Sequence, residues 1–554
     1  MTFEPPKFLR CAPARFRRGR CEKPIHRDRL SIGLIVITLL WTAAPCGAQT
    51  RGGVLRIYTP DSPASMSIHE EVTIFAQGPM MPVFNNLLLF DYHKPQASLD
   101  TIEPDLATDW GWDETRTALT LHLRQGVKWH DGEPFSAADV KCTWDLLLEK
   151  SPEKLRINPR KSTWANLDDV TTSGDWEVSF HLKRPEPAFP MFLASGFSPV
   201  YPCHVSPAQM RQHPIGTGSF KFVEFKPNEY IKIERNPNYW NPGLPYLDGV
   251  EYRVIRNPAT AILAFASGSV DMTFPYQLTV TLLRDVQTQV PQAICDLVPD
   301  GINRHLIINR DEPPFNTLDL RRAMALSLDR KAFIDILTEG QGDIGGVLQP
   351  PPAGLWGMPP EKLAALPGYD PDVAKNRAEA RQLMQAHGYG PGNRLKVKVT
   401  TRDLPLYRDP AVLMIDQLKE IFIDGELEAV ETPAYFPKIY RKDFTVGLNL
   451  QNSGPDPDPI FQLFYGCGAG LNWDRYCNPG VDGLIAQLSA EPDAERRREL
   501  AWAIERRLAE EVVRPIIFYS RGATCWQPYV KGYTSMINTL YNVWRFVETA
   551  WLDR

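Results

Sequence analysis

EPDLATDWGWDETRTALTLHLRQGVKWHDGEPFSAADVKCTWDLLLEK, residues 103–150, is the stretch from which the rest of the chain can be placed. Thr117 to Leu123 (TALTLHL) alternates apolar and polar side chains, the pattern of a half-buried strand. Arg124-Gln125-Gly126 then turns it into a second short strand, Val127 to His130, which predicts a hairpin. Asp131-Gly132 makes the next turn, with glycine where positive φ is needed. Ser136 stands as the N-cap of a helix whose apolar residues Val140, Trp144, Leu147 and Leu148 share one face. Trp110, Trp112, Trp129 and Trp144 crowd into the same span, so the unit is expected to carry a fixed core.

The chain has 554 residues, enough for two or three lobes, each with its own core. With 43% hydrophobic residues, 23% charged residues and a net charge of -5, it has the balance of a globular protein and no basic footprint for nucleic acid. Residues 1–48 read as an export signal. Basic residues dominate Lys7 to Arg29, an apolar run follows from Leu30 to Trp41, and Cys46-Gly47-Ala48 supplies small residues for cleavage, so the mature chain is expected to start near Gln49. The apolar run falls short of the roughly 20 residues a membrane span needs. Of nine cysteines, Cys142, Cys203, Cys295, Cys467, Cys477 and Cys525 lie beyond this leader, and export would place them in an oxidising compartment. Cys467 and Cys477 bracket the short polar loop CGAGLNWDRYC and are the expected disulfide, whose closure would stabilise by about 2 to 3 kcal/mol. Cys142, on the helix, reads as a free core thiol.

The order Pro-Asp-Leu-Ala, then Trp, then LxLRxGVKWHDGxPFxAxDV resembles the extracellular solute-binding proteins of the oligopeptide, dipeptide and nickel class (solute-binding family 5), the capture subunits of bacterial ABC importers. Ile215 to Tyr246 (IGTGSFKFVEFKPNEYIKIERNPNYWNPGLPY) and Gly301 to Gly340 carry the same resemblance. In the first, Phe220–Val223 and Tyr230–Ile233 read as paired strands, and Gly216-Thr217-Gly218 as a structural turn rather than a phosphate loop. In the second, His305 to Asn309 reads as a strand crossing between lobes and Leu318 to Leu337 as one helix. Further strands are read at Gly53–Tyr58, Leu395–Thr400, Phe444–Leu450 and Val513–Tyr519, and helices around Val83–Leu88 and over Asp493–Glu511. The alternation of strands and helices implies an α/β fold. The resemblance implies a two-lobed periplasmic binding protein of type II, in its large three-subdomain form, with a hinged ligand cleft. Its expected parts are a signal peptide over 1–48, lobe I over 49–302 with an inserted subdomain near 91–210, lobe II over 303–520, and a return to lobe I over 521–554.

Catalytic motifs are not found: His69-Glu70-Glu71 begins like HExxH but has Thr73 where the second His belongs, and no GxSxG elbow occurs. Asp456-Pro457-Asp458-Pro459 suits a rigid connection better than a calcium loop. The expectation is therefore a non-enzymatic binder with no cofactor and no metal. Leu448 to Leu484 resembles the family's DPDxFxxxFxC segment, in which an aspartate just before DPD receives the peptide's α-ammonium group. Here Ser453 stands at that position and Leu450 at a neighbouring aromatic one, so the acidic anchor is missing; Asp456 or Glu71 is a candidate substitute. Arg402 ends the strand Val399-Thr400-Thr401 where dipeptide binders of the family it resembles carry an arginine for the peptide carboxylate, which makes it a candidate for a bidentate anion contact, the alternative being a solvated surface arginine. Ser65, Ser67 and His69 in the first loop, Trp356 as either an apolar lid or a core residue, and Asn452 complete the candidate ligand site. The function implied is the substrate-binding subunit of an ABC importer that captures di- or oligopeptides in the periplasm and delivers them to a permease driven by ATPase subunits, acting as a monomer. The alternatives are the same fold with a non-peptide solute, such as an opine, oligosaccharide or metal chelate, or a secreted hydrolase.

Overall fold

The computed structural model describes residues 49–537 and 543–554; the leader reading for residues 1–48 lies outside them. An alternating apolar pattern makes Val54–Thr59 a strand, and it becomes an interior member of an eleven-stranded sheet. The order across that sheet is Ile423–Val430, Leu395–Arg402, Val446–Asn452, Ile294–Ile308, Ile516–Trp526, Met272–Thr273, Val54–Thr59, Gly249–Val254, Tyr230–Arg235 and Phe220–Lys226, with Gly342–Asp343 added beside Ile516–Trp526. Each side contains parallel pairings, Val54–Thr59 with Gly249–Val254 and Leu395–Arg402 with Ile423–Val430, and the first side continues antiparallel through Tyr230–Arg235 and Phe220–Lys226. Between them run two long strands, Ile294–Ile308 and Ile516–Trp526, paired antiparallel and joined by the Cys295–Cys525 disulfide. Their register slips between Pro299 and Asn303, which kinks the pair at Asp300 and Gly301.

A second, four-stranded antiparallel sheet runs Ala107–Trp112, Ala118–Leu123, Glu177–Leu182, Leu167–Thr172. In Ala118–Leu123 the leucines Leu119, Leu121 and Leu123 are buried and Thr120 and His122 face outward, as the alternation requires. The partner strand differs from the expectation. Ala118–Leu123 pairs with Ala107–Trp112, because Asp113 accepts the backbone N–H groups of Thr117 and Ala118, each at 2.9 Å, and closes the turn before it. Val127–His130 instead folds back on Glu133–Phe135 through one isolated bridge, Lys128 to Pro134. Helix Ala137–Leu147 starts at Ser136 with a capping box completed by Asp139. It sends Trp144 into the core against Trp164 and Phe180, ring centroids 5.5 and 4.9 Å away.

Three corrections are local. The helix expected around Val83–Leu88 is Ile74–Met80, followed by a short 3-10 turn, and Leu88–Phe90 is a strand. The helix expected over Leu318–Leu337 is two, Leu318–Ser327 and Arg330–Thr338, because the Asp329 side chain accepts the Ala332 N–H and restarts the helix. Cys142 is not a free thiol: it is bonded to Cys203, which lies against its helix; Cys467 is bonded to Cys477. The Gly216–Gly218 turn has a steric cause, since a Cβ at Gly216 would sit 1.9 Å from the Val83 carbonyl oxygen and one at Gly218 2.3 Å from that of Pro82. The largest apolar core draws mainly on residues 55–276 and 526–552, and two others on residues 306–518, so separate hydrophobic centres flank the long strand pair. No helix among the described residues is long and apolar enough to cross a membrane.

Candidate ligand-binding cleft

Where the strand pair kinks, the chain lines an open cavity with about 1480 Å³ of atom-free space, part of which is open to solvent. One wall comes from the segment Val72–Phe75, from Arg160 to Trp164 and from helix Phe189–Ala194; the other from the ends of strands Leu395–Arg402 and Val446–Asn452 and from the loop through Trp473. Apolar and aromatic side chains dominate, among them Phe75, Trp164, Phe197, Tyr407, Phe436 and Trp473. Such a surface gives a ligand buried area, and a few fixed polar groups then orient it.

Among the described residues, four charged side chains line the cavity: Arg160, Asp300, Arg304 and Arg402. Arg160 donates to the carbonyls of Ile68 and Glu71 and lies 3.6 Å over the Phe197 ring. Asp300 accepts the Ile302 N–H at 2.9 Å inside the kink. Burial pushes its carboxyl up to about 6 against the opposing charge of Arg304, whose own pKa burial lowers. Arg402 is buried and already engaged. Its Nη2 meets Asp61 at 3.1 Å, Nε and Nη2 donate to Thr432, Nη1 donates to the Tyr407 hydroxyl, and the Phe75 and Phe436 rings flank it. Thr432 also hydrogen-bonds Asp61. A carboxylate of the chain itself, from the first loop, thus meets the guanidinium for which a bidentate ligand anion was expected.

Of the residues singled out from sequence, Arg402, Leu450 and Asn452 line the cavity. The first-loop residues stand behind its wall. Ser65 donates to Glu71 at 2.8 Å and Glu71 pairs with Arg156 at 3.6 Å, so Glu71 is committed within its own surroundings. Ser67 meets the Tyr201 hydroxyl at 3.4 Å. His69 sits 2.9 Å from the Pro199 carbonyl, a contact that needs an N–H; burial, with the charge of Arg160, pushes it down to about 3, so the ring is neutral. Trp356 is not a lid: its Nε1 donates to the Pro455 carbonyl and Arg497 lies 5.0 Å over its ring, behind the cavity wall. Ser453 is buried, its N–H tied to the Gly301 carbonyl. Asp456 does not replace the missing acid: it caps helix Pro457–Phe464 and receives both terminal nitrogens of Arg497 at 2.7 Å.

Sequence reading missed Asp61, Arg160, Asp300, Arg304, Asn449, Gln451 and Trp473. Asp61 lies in the turn-rich TPDSP and Asp300 in PDG, where an aspartate reads as a turn former. Asn449 and Gln451 alternate with leucine on a strand, which looks like a solvated face. Only the packing of the second wall against the first puts that face in a cavity.

Comparisons with known proteins agree with this architecture. The di/tripeptide-binding protein 1 of Pseudomonas aeruginosa is 25% identical over 484 residues, 81% of this chain and 85% of that one. The oligopeptide-binding protein AppA of Bacillus subtilis is 27% identical over 469 residues, covering 79% and 81%. The periplasmic binding protein DppA of Helicobacter pylori, solved with the peptide STSA, superposes with a TM-score of 0.81 at 22% identity, over 91% of this chain and 99% of that one. The fold is thus that of the two-lobed periplasmic binding proteins. Residues 101–472 match the family described as Bacterial extracellular solute-binding proteins, family 5 Middle, and the chain belongs to that family.

Proposed function

We propose that this protein is the capture subunit of an ABC importer, binding di- or oligopeptides in the periplasm and handing them to a membrane permease driven by ATPase subunits. The observation that carries the reading is the cavity at the kink of the long strand pair, walled on both sides, rich in aromatic surface and fitted with a few fixed charged groups. The names of the relatives supply the ligand class: a di/tripeptide-binding and an oligopeptide-binding protein among the sequences, and a peptide complex among the structures. On this reading residues 1–48 are a cleaved export signal, 49–302 form lobe I with its insertion near 91–210, 303–520 form lobe II, and 521–554 return to lobe I. The crossings Ile302–Asn309 and Pro515–Arg521 are the hinges. Ligand contacts to both lobes favour the closed state; shifting the balance from 1:99 to 99:1 requires a differential affinity of ~5.5 kcal/mol. Capture of this kind involves no covalent chemistry, and the working form is a monomer.

A thermal-shift screen of residues 49–554 against di- to pentapeptides, sugars and metal chelates tests this. A peptide at 100 times its dissociation constant adds ~2.7 kcal/mol of stability and raises the melting temperature. A screen in which sugars or chelates shift the protein and no peptide does overturns the ligand class.

A further inference from the structure

We infer that Arg304 is the anion anchor of the cleft, taking a carboxylate of the bound peptide on the Nε–Nη2 edge of its guanidinium. The inference rests on the peptide reading above. Arg304 lies on strand Ile294–Ile308 just past the kink and is 3% exposed. It lines the main cavity and also a second one, with about 970 Å³ of atom-free space that is partly open to solvent. Leu406 is the other residue common to both, so the two spaces meet at these two side chains. On the side of the second cavity the guanidinium lies 5.3 Å from the ring of Phe518, which lines that cavity.

The contacts of Arg304 leave that edge open. Nη1 donates to the Ile302 carbonyl at 3.1 Å, the one hydrogen bond of its side chain among the described residues. Nε and Nη2 have no partner there and, unlike the buried Nε of Arg321, both keep accessible surface. In a planar guanidinium these two N–H groups point the same way along one edge, so by covalent geometry they converge on one carboxylate. The chain uses this edge elsewhere: Arg56 gives Nε at 3.0 Å and Nη2 at 2.7 Å to the two oxygens of Asp271.

No carboxylate forms an ion pair with Arg304 among the described residues. Asp300 and Tyr407 face it at longer range, and Asp300 is shared with Arg521, which lines the second cavity. A buried guanidinium without a paired counter-ion is destabilising, and an arriving carboxylate relieves that cost. The other two arginines of the main cavity are committed. Asp61 and Thr432 fill the Nε–Nη2 edge of Arg402, and Arg160 gives both terminal nitrogens to the carbonyls of Ile68 and Glu71. Arg304 is therefore the lining cation whose fork is open to a ligand.

The test is calorimetric titration of residues 49–554 with Ala-Phe-Ala, with its C-terminal amide, with Ala-Glu-Ala amide, and with hydrocinnamate as a non-peptide carboxylate. The two acid-bearing peptides separate a terminal from a side-chain carboxylate. Arg304→Gln removes the charge and the fork; Arg304→Lys keeps the charge alone. The expected result is that at least one acid-bearing peptide binds the wild type ~10-fold or more tightly than Ala-Phe-Ala amide, and that Arg304→Gln weakens it by ~10- to 100-fold and erases the preference. The ligand-free melting temperature of Arg304→Gln stays level or rises, because an uncompensated buried charge is gone. Arg304→Lys weakens the acid by several-fold, and decides the matter if Arg304→Gln does not fold. Equal binding of acid and amide by the wild type, or a preference that survives both substitutions, overturns the anchor. Hydrocinnamate binding that is lost in Arg304→Gln, with no peptide binding, keeps the anchor and overturns the peptide reading. Binding of none of the four overturns the anchor, and the wider peptide screen above then judges the peptide reading on its own.

Discussion

Replacing Asp61 by Asn should loosen ligand binding without loosening the empty protein. Asp61 belongs to the first loop and Arg402 to the opposite wall, and both side chains are 4% exposed at a separation of 3.1 Å. Breaking a buried ion pair by removing one partner costs about 3 to 5 kcal/mol, because the other charge is left uncompensated. Thr432 and Tyr407 still accept from Arg402, so the lower figure applies. If the pair forms only when the proposed lobes close, the whole cost falls on the closed state, and about 3 kcal/mol is a loss of affinity on the order of 100-fold. Titration calorimetry gives the dissociation constant and differential scanning calorimetry the melting temperature with and without peptide. The ligand-free melting temperature should stay close to that of the wild type. An unchanged dissociation constant, with a ligand-free protein that melts earlier, would refute the clamp and make the pair an ordinary core contact.

Trp144→Ala empties a fully buried site against Trp164 and Phe180 and should cost about 3 to 5 kcal/mol in urea unfolding, since a cavity adds to the lost transfer energy. Replacing Cys295 and Cys525 by serine opens a bridge across 230 residues, for which chain entropy gives about 5 kcal/mol; unfolding midpoints should drop accordingly, and a protein as stable as the wild type would contradict the structural role. Glu505 is buried, accepts the Leu348 N–H at 2.9 Å, and is pushed up to about 8 by burial. Its folded pKa lies above its unfolded one, so the folded state holds the proton more tightly. The associated stability is present below about pH 4.5 and is lost as pH rises through about 8, by at most roughly 5 kcal/mol. Glu505→Gln should remove that slope, and an identical pH profile for variant and wild type would rule it out.

Much of the fold was legible because local rules agree there: Ser136 with Asp139 starts a helix, the leucines of Ala118–Leu123 mark its buried face, and Asp493 caps Ala494–Glu510. The hairpin was misread because Gly126 offers a stronger turn signal than Asp113, whose side-chain bonds to Thr117 and Ala118 decide the pairing. The break at Asp329 interrupts an apolar pattern that continues on both sides of it, so periodicity alone spans it. The pairing of Cys142 with Cys203 and of Cys295 with Cys525 depends on distant segments meeting and has no local signature. The site was less legible than the fold. Arg402 stood out at a strand end, yet its partner Asp61 lies 341 residues away in sequence. Asn449 and Gln451 are polar residues of an alternating strand, and nothing local distinguishes a face toward open water from a face toward a cavity.

The most direct test of peptide capture by closure is titration of residues 49–554 with a panel of short peptides, followed by small-angle X-ray scattering with and without the one that binds. Two lobes closing on a ligand predict saturable binding of one peptide per chain together with a smaller radius of gyration. Failure of every peptide in the panel to bind, or saturable binding with an unchanged radius of gyration, would contradict that mechanism.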